Sequence, residues 1–392
     1  MPLSATRQDL LVKLKGQCLE IPDLSSVFKH WPLDISPSLE EMRALVPSRI
    51  DSMTDCPRDR KILEGIDAGL FTASWWPFAR LERADILSCL ALWVCISSST
   101  LLFRLTHMSN SFSSGMMVSS AASNPSGIIL IGHNTCVETD AEVGPLAENF
   151  EAAQTFRETT IAYVKHCLKL SNSTEEVPSP LTKIVASFKA IGDAACEAYD
   201  LDHRKILFRE LEAFVKGSEV EQIFRLSPEL PTVEAYMDNR LKTSAVNIVL
   251  FFIEYAYDIQ LPVDVLTDPD MRTIWDKTNF IVWTHNDLLS LKKEVAQQAI
   301  DSLVPLLYFK QGNMNLVVSQ VIEMTEKAVR DFDLAEAALV KKVSHDDGML
   351  ADVKTYIDGC RRVCTGNLFW SLLAGRYEVS DIAVGGCVTT HL

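Results

Sequence analysis

Asn286, Ser290 and Glu294 stand at intervals of four in the stretch THNDLLSLKKEV, residues 284–295, with Asp287 and Lys293 beside them. At about 100° per residue, positions i, i+4 and i+8 fall on one face of a helix and drift by only ~80° in total. That face carries an amide oxygen, a hydroxyl and a carboxylate. All three are hard oxygen donors, a set that suits Mg²⁺ better than zinc or copper. The same spacing also suits a solvated helix face with scattered charge, and this stretch alone leaves both readings open.

The elements that would position such a face are helices. Apolar residues recur at three and four in SPSLEEMRALVPSRIDSM, FEAAQTFRETTIAYVKHCLKL, LTKIVASFKAIGDAACEAY, HRKILFRELEAFVKGSEVEQIF, TSAVNIVLFFIEYAY and NLVVSQVIEMTEKAVRDFDLAEAALVKKV. Punctuation falls between them, at Pro178 and Pro180, Pro228 and Pro231, Pro262, and the HDDG of 345–348. Alternating strand patterns are nearly absent. The expectation is an all-α chain of about ten to twelve helices, without an internal repeat.

The 392 residues, 47% hydrophobic, suffice for a large core. A net charge of −15 argues against non-specific binding to nucleic acid or to an anionic membrane surface. Ten cysteines lie scattered without a CxxC pair, and no secretory h-region opens the chain, so reduced thiols in the cytoplasm are expected. Cys360 and Cys364 share a helical face with no further ligand nearby, which reads as packing. Residues 86–103 carry no charge, the minimum length for a spanning helix. Three consecutive serines interrupt them, and a buried helix running into an irregular loop is the expected structure. From Ile86 to Val137 there is no Asp or Glu, where the chain's average of 52 acids in 392 residues would give about seven. The Ser-rich part of this segment has the composition of a loop, and a loop of that length inside a compact domain is unusual.

The residues 286–294, N-D-L-L-S-L-K-K-E, resemble the NDxxSxxKE metal motif of class I terpene cyclases, the fungal and bacterial sesquiterpene-forming enzymes. Residues 356–377, YIDGCRRVCTGNLFWSLLAGRY, look like that family's late helix with its GN-x-x-W core and closing Arg-Tyr pair, about 80 residues further on. YMDNRLKTSAVNIVLFFIEYA, 236–256, is similar to the segment bearing the diphosphate-sensing arginine, here Arg240. SWWPFAR and RADILSCLALWV resemble the family more loosely. The resemblance implies an all-α class I terpene synthase bundle around a central cavity. It also implies an enzyme of secondary metabolism that ionises a prenyl diphosphate, with farnesyl diphosphate the expected substrate and three Mg²⁺ ions in an intact site. Asn286, Ser290 and Glu294 would be metal ligands. Arg240, Lys293, Arg376 and Tyr377 match positions that contact diphosphate, and Trp370 matches an aromatic of the cation pocket. Trp93, Phe71 and Trp75 are weaker candidates for that pocket. A homodimer is compatible with this reading.

The sequence departs from the family where an Asp-rich DDxxD/E motif should end the helix RADILSCLALWV, since CISSST follows without a carboxylate. His133, Asn134, Val137 and Glu138 occupy the place where that motif would fall before the helix EAAQTFRETTIAYV. A neutral imidazole is a poor Mg²⁺ ligand, which leaves Glu138, and after it Asp140, as carboxylates able to keep one contact. Either residues from about 96 to 133 are an insertion, such as translated intron, or half the metal site has been lost. The expectation is therefore one helical domain over 1–392 carrying an atypical Ser-rich insertion. The rival is a catalytically inactive or mis-spliced relative. Ala245 is a smaller departure, at a helix break where relatives often have Gly, and Asp346-Asp347 reads as a turn rather than a second metal pair.

Overall fold

Most helices begin where a short polar side chain can take up free backbone N–H groups. Asn149 opens α6 (Phe150–Cys167), Thr182 opens α7 (Lys183–Ala198) and Asp200 opens α8 (Leu201–Leu226). Thr232 does the same for α9 (Val233–Thr243), Asp268 with Pro269 for α13 (Pro269–Leu289), and Asn313 for α16 (Met314–Val343). Asp346 of the expected turn caps α17 (Asp347–Leu373) by accepting from the Met349 N–H. The computed structural model describes residues 4–102, 149–172, 177–374, 383–384 and 386–392. It is 75% helical.

The remaining helices are α1 (Ala5–Leu14), α2 (Leu39–Met53), α3 (Pro57–Glu64), α4 (Ala68–Trp75), α5 (Leu81–Leu102), α10 (Val246–Phe251), α11 (Ile253–Tyr257), α12 (Val263–Leu266), α14 (Leu291–Ala296) and α15 (Leu303–Gln311), with a 3₁₀ turn at Leu24–Phe28. Helices α4, α5, α7, α6, α8, α9, α13 and α17 touch in that order, and α17 returns to α4, so the bundle closes into a ring. Within it, α10 and α11 are almost wholly buried and touch α8, α13, α17 and α5. α16 packs along the outer side of α13. The α17–α4 contact is close because Gly366 has no side chain: a Cβ there would lie 2.2 Å from the Ser74 carbonyl oxygen.

There are more helices than the ten to twelve expected, because periodic stretches are cut into pieces. TSAVNIVLFFIEYAY is divided at Ala245, whose φ of 61° is left-handed, and again at Phe252. The expected irregular loop at CISSST is corrected over its first residues, since α5 continues to Leu102. Ile96 and Ser97 are still buried in the packing at that point, and serine is tolerated inside a helix when its hydroxyl is satisfied locally. Among the described residues no helix is long and apolar enough to cross a membrane. The sequence also concealed a small antiparallel sheet. β1 (Cys18–Ile21) pairs with β3 (Cys387–His391), which pairs with β2 (Ala383–Val384).

Candidate functional site

The chemistry-bearing stretch lies at the end of α13. That helix ends at Leu289, Ser290 keeps right-handed helical angles, and α14 follows at once. The Ser290 N–H donates to the Asn286 carbonyl (2.8 Å) and the Glu294 N–H to the Ser290 carbonyl (2.9 Å). The helical path therefore carries through the junction, and the three residues share a face as their spacing predicts. The Ser290 hydroxyl lies 2.7 Å from both the Asn286 carbonyl oxygen and Glu294 Oε1. Ser302 Oγ donates to Glu294 Oε2 at 2.7 Å.

This face is not a solvated stripe: Ser290, Glu294 and Asp287 are all buried. Burial pushes the Glu294 carboxyl up to about 7, with the nearby Asp287 charge adding to it and the two serine hydroxyls opposing. Asp287 points away from the strip, into a cage of its own. Tyr236 OH donates to its Oδ2 (2.6 Å), as does the Leu303 N–H (3.2 Å). Arg240 Nε and Nη2 each stand 3.4 Å from its Oδ1. Burial raises the Asp287 carboxyl, and the Arg240 guanidinium pulls it back.

Arg240 also donates from Nη2 to the Asn286 side-chain oxygen at 2.9 Å. One guanidinium thus joins α9 to the strip, and it touches the amide oxygen that the sequence offers as a metal donor. Lys293 is half-buried on α14, next to Glu294. Trp370 sits in the α17–α4 packing, where its indole N–H donates to the Ile66 carbonyl (2.7 Å) and its ring meets Phe71 edge-on (centroids 5.2 Å). Phe71 stacks in turn on Trp75 at 4.0 Å. Trp93 packs on Phe188 and Phe214, beside an apolar crevice also lined by Phe156, Thr160 and Val215. Glu138, Arg376 and Tyr377 lie outside the described residues, as do His133, Asn134 and Asp140.

The donor set suits Mg²⁺ in kind, being an amide oxygen, a hydroxyl and a carboxylate. Among the described residues no group of three or more His, Cys, Asp or Glu side chains gathers as a metal site, so this strip supplies a single carboxylate. Three partners escaped the sequence reading. Tyr236 stands four residues before Arg240 on the same helical face, a signal that was available. Ser302 and the Leu303 N–H are brought in by a loop that turns back after α14, and no local pattern marks them.

Residues 147–331 match the family described as terpene synthase family 2, C-terminal metal binding. Sesquiterpene cyclase hepA from Aspergillus oryzae is 27% identical over 387 residues, covering 96% of this chain and 93% of that protein. Terpene cyclase braA from Annulohypoxylon truncatum is 21% identical over 380 residues, covering 95% and 89%. Among solved structures, wild-type cucumene synthase superposes with a TM-score of 0.64 at 14% identity, covering 87% of this chain and 98% of that one. A linalool/nerolidol synthase from Streptomyces clavuligerus, in complex with 2-fluorogeranyl diphosphate, gives 0.65 at 15% identity, covering 88% and 98%. At such identities the structural likeness speaks to the fold: the all-α terpenoid cyclase bundle.

Proposed function

The chain belongs to the fungal-type class I terpene synthases and is a terpene cyclase, a lyase, and on that premise we propose that it uses Mg²⁺ to ionise farnesyl diphosphate and cyclises the resulting carbocation to a sesquiterpene, releasing diphosphate. We read the whole chain as one such domain, acting in the cytoplasm. Mg²⁺, when bound, neutralises charge on the departing diphosphate. Asn286, Ser290 and Glu294 would hold it on this side of the site, and Glu138 is the carboxylate proposed for the opposite side. Arg240 and Lys293, with Arg376 and Tyr377, would donate hydrogen bonds to the diphosphate, a charge-assisted contact that strengthens as negative charge develops on the leaving group. Trp370 is proposed as a wall of the pocket in which the cation is kept from water, where π faces stabilise positive charge.

The observation that supports this reading most is the Arg240 contact with the Asn286 side-chain oxygen. It joins the guanidinium of α9 to the strip from a motif 46 positions away in sequence, which supports a role for Arg240 toward an anion bound there. The test is incubation of the purified chain with farnesyl diphosphate and Mg²⁺, followed by gas chromatography–mass spectrometry and a diphosphate assay. The expected result is a C15 hydrocarbon or alcohol formed with equal release of diphosphate. Glu294→Gln should reduce turnover about a hundredfold, since losing the strip's one carboxylate costs metal affinity as well as rate. Retained binding of farnesyl diphosphate without any product would overturn the proposal. Faster turnover of a C10 or C20 diphosphate would overturn the substrate assignment alone.

A further inference from the structure

Arg7 belongs to the first helix, far in sequence from every motif, yet it is 3% exposed. Its guanidinium reaches two separate parts of the molecule. Nε donates to the Ser227 carbonyl (3.2 Å), and Nη2 donates to the carbonyls of Phe224 (2.6 Å) and Glu229 (3.1 Å). These atoms form the end of α8 and the turn leading into α9, the helix that carries Tyr236 and Arg240. Nη1 forms an ion pair with the Asp301 carboxylate.

Asp301 is the first of three consecutive residues that each make a different fixed contact. Ser302 donates its hydroxyl proton to Glu294 Oε2, and the Leu303 N–H donates to Asp287 Oδ2. The loop between α14 and α15 is thus attached to the site at two points and to Arg7 at a third. The first helix has a further tie to the same region, since Tyr308 OH of α15 donates to the Lys13 carbonyl at 3.4 Å.

We propose that Arg7 is a positioning residue for the metal strip: by fastening the 301–303 loop to the α8–α9 turn, it holds Ser302 against Glu294 and fixes which way the carboxylate faces. The inference rests on the reading of Asn286, Ser290 and Glu294 as Mg²⁺ ligands. A carboxylate with two oxygens can turn either toward the ion. Ser290 of the strip itself bonds Oε1, and the Ser302 hydroxyl, which comes from outside the strip, holds Oε2 and so fixes which oxygen faces it. Partners of this kind orient metal ligands and tune their affinity. An arginine suits the task because its planar fork of donors can serve several carbonyls and a carboxylate together.

The test is binding of Mn²⁺ with inorganic diphosphate to the full chain, followed by electron paramagnetic resonance, with circular dichroism and an unfolding midpoint recorded alongside. Arg7→Gln and Ser302→Ala are each expected to weaken Mn²⁺ about tenfold while the helical signal is kept. Should Arg7→Gln fail to fold, Asp301→Asn breaks the ion pair but leaves the three carbonyl contacts of Arg7 in place, and the same weakening is expected. A lowered unfolding midpoint with Mn²⁺ affinity unchanged in these variants makes Arg7 a clamp of the fold and overturns the inference. No Mn²⁺ uptake by the wild-type chain overturns the reading of the strip itself, and this inference with it.

Discussion

At the scale of single residues, Arg240 has two duties that a substitution can separate. It touches Asn286, where the proposed chemistry lies, and it is the cation against Asp287, which is 1% exposed. Removing one member of a buried ion pair leaves an uncompensated charge, at a cost of about 3–5 kcal/mol. Arg240→Ala is therefore expected to lower the unfolding free energy by about 3 kcal/mol in urea titrations, besides any loss of turnover. Tyr236 and the Leu303 N–H would still hold Asp287 but cannot neutralise it. Adding Asp287→Asn should restore a large part of the stability and none of the activity, because the amide needs no cation but gives the diphosphate no donor in place of Arg240. If the two losses of stability simply add, the pair is not coupled as described.

At the scale of elements, the break between α9 and α10 shows how a sequence departure is accommodated. Ala245 adopts φ 61° where glycine would be free of strain, and its methyl group is buried. A non-glycine residue in this region costs roughly 1–2 kcal/mol. Ala245→Gly would release that strain but lose about 0.8 kcal/mol of methyl burial and add chain entropy to the unfolded state. The terms nearly cancel, and the expected change is within about 0.5 kcal/mol of zero. Ala245→Val adds a branched Cβ to the same backbone and is expected to cost at least about 2 kcal/mol. Denaturant midpoints for both variants check this, and equal stability of Val and Ala at this position would contradict it. The break is braced from α13, where the Asn279 side chain accepts from Ser244 Oγ (2.6 Å) and donates to the Leu241 carbonyl (2.7 Å). Periodicity alone reads TSAVNIVLFFIEYAY as one helix, since apolar spacing continues across a break that a partner on another helix braces. The Asn286–Ser290–Glu294 face was legible for the opposite reason: its geometry is local, and i, i+4 and i+8 need no knowledge of the rest of the fold. Ser302 and Arg7 were not, because only loop closure and the docking of the first helix bring them there.

At the scale of the whole molecule, helical periodicity revealed the fold class, but the ring closure and the sheet lie beyond it. Strands of four, two and five residues that join Cys18–Ile21 to Cys387–His391 are too short to stand out in a sequence. The buried ionisable groups have a consequence of the same global kind. Glu254 is 1% exposed, with Oε1 accepting from the Leu261 N–H (2.6 Å), and burial pushes its carboxyl up to about 7 against the pull of that N–H and of His203. His203, buried between Asp200 and the Leu261 carbonyl, is raised despite its burial because both partners favour the charged ring. From the ordinary carboxyl value of 4.5 to about 7, the folded protein holds a proton on Glu254 that the unfolded chain has released. Stability therefore falls as pH rises through that window, and His203 acts in the same direction above its ordinary 6.5. Asp200, lowered by its bonds to His203, gives stability that is lost only near and below its ordinary 3.8, outside this range. Urea unfolding without divalent metal should show stability declining from pH 5 to pH 8 by about 1–3 kcal/mol. Glu294, which burial likewise pushes up to about 7, adds to the same slope, so Glu254→Gln, which cannot ionise, should remove only part of it below pH 7. A wild-type profile that is flat or rising across this range would show that Glu254 and Glu294 are already ionised in the folded protein at pH 5.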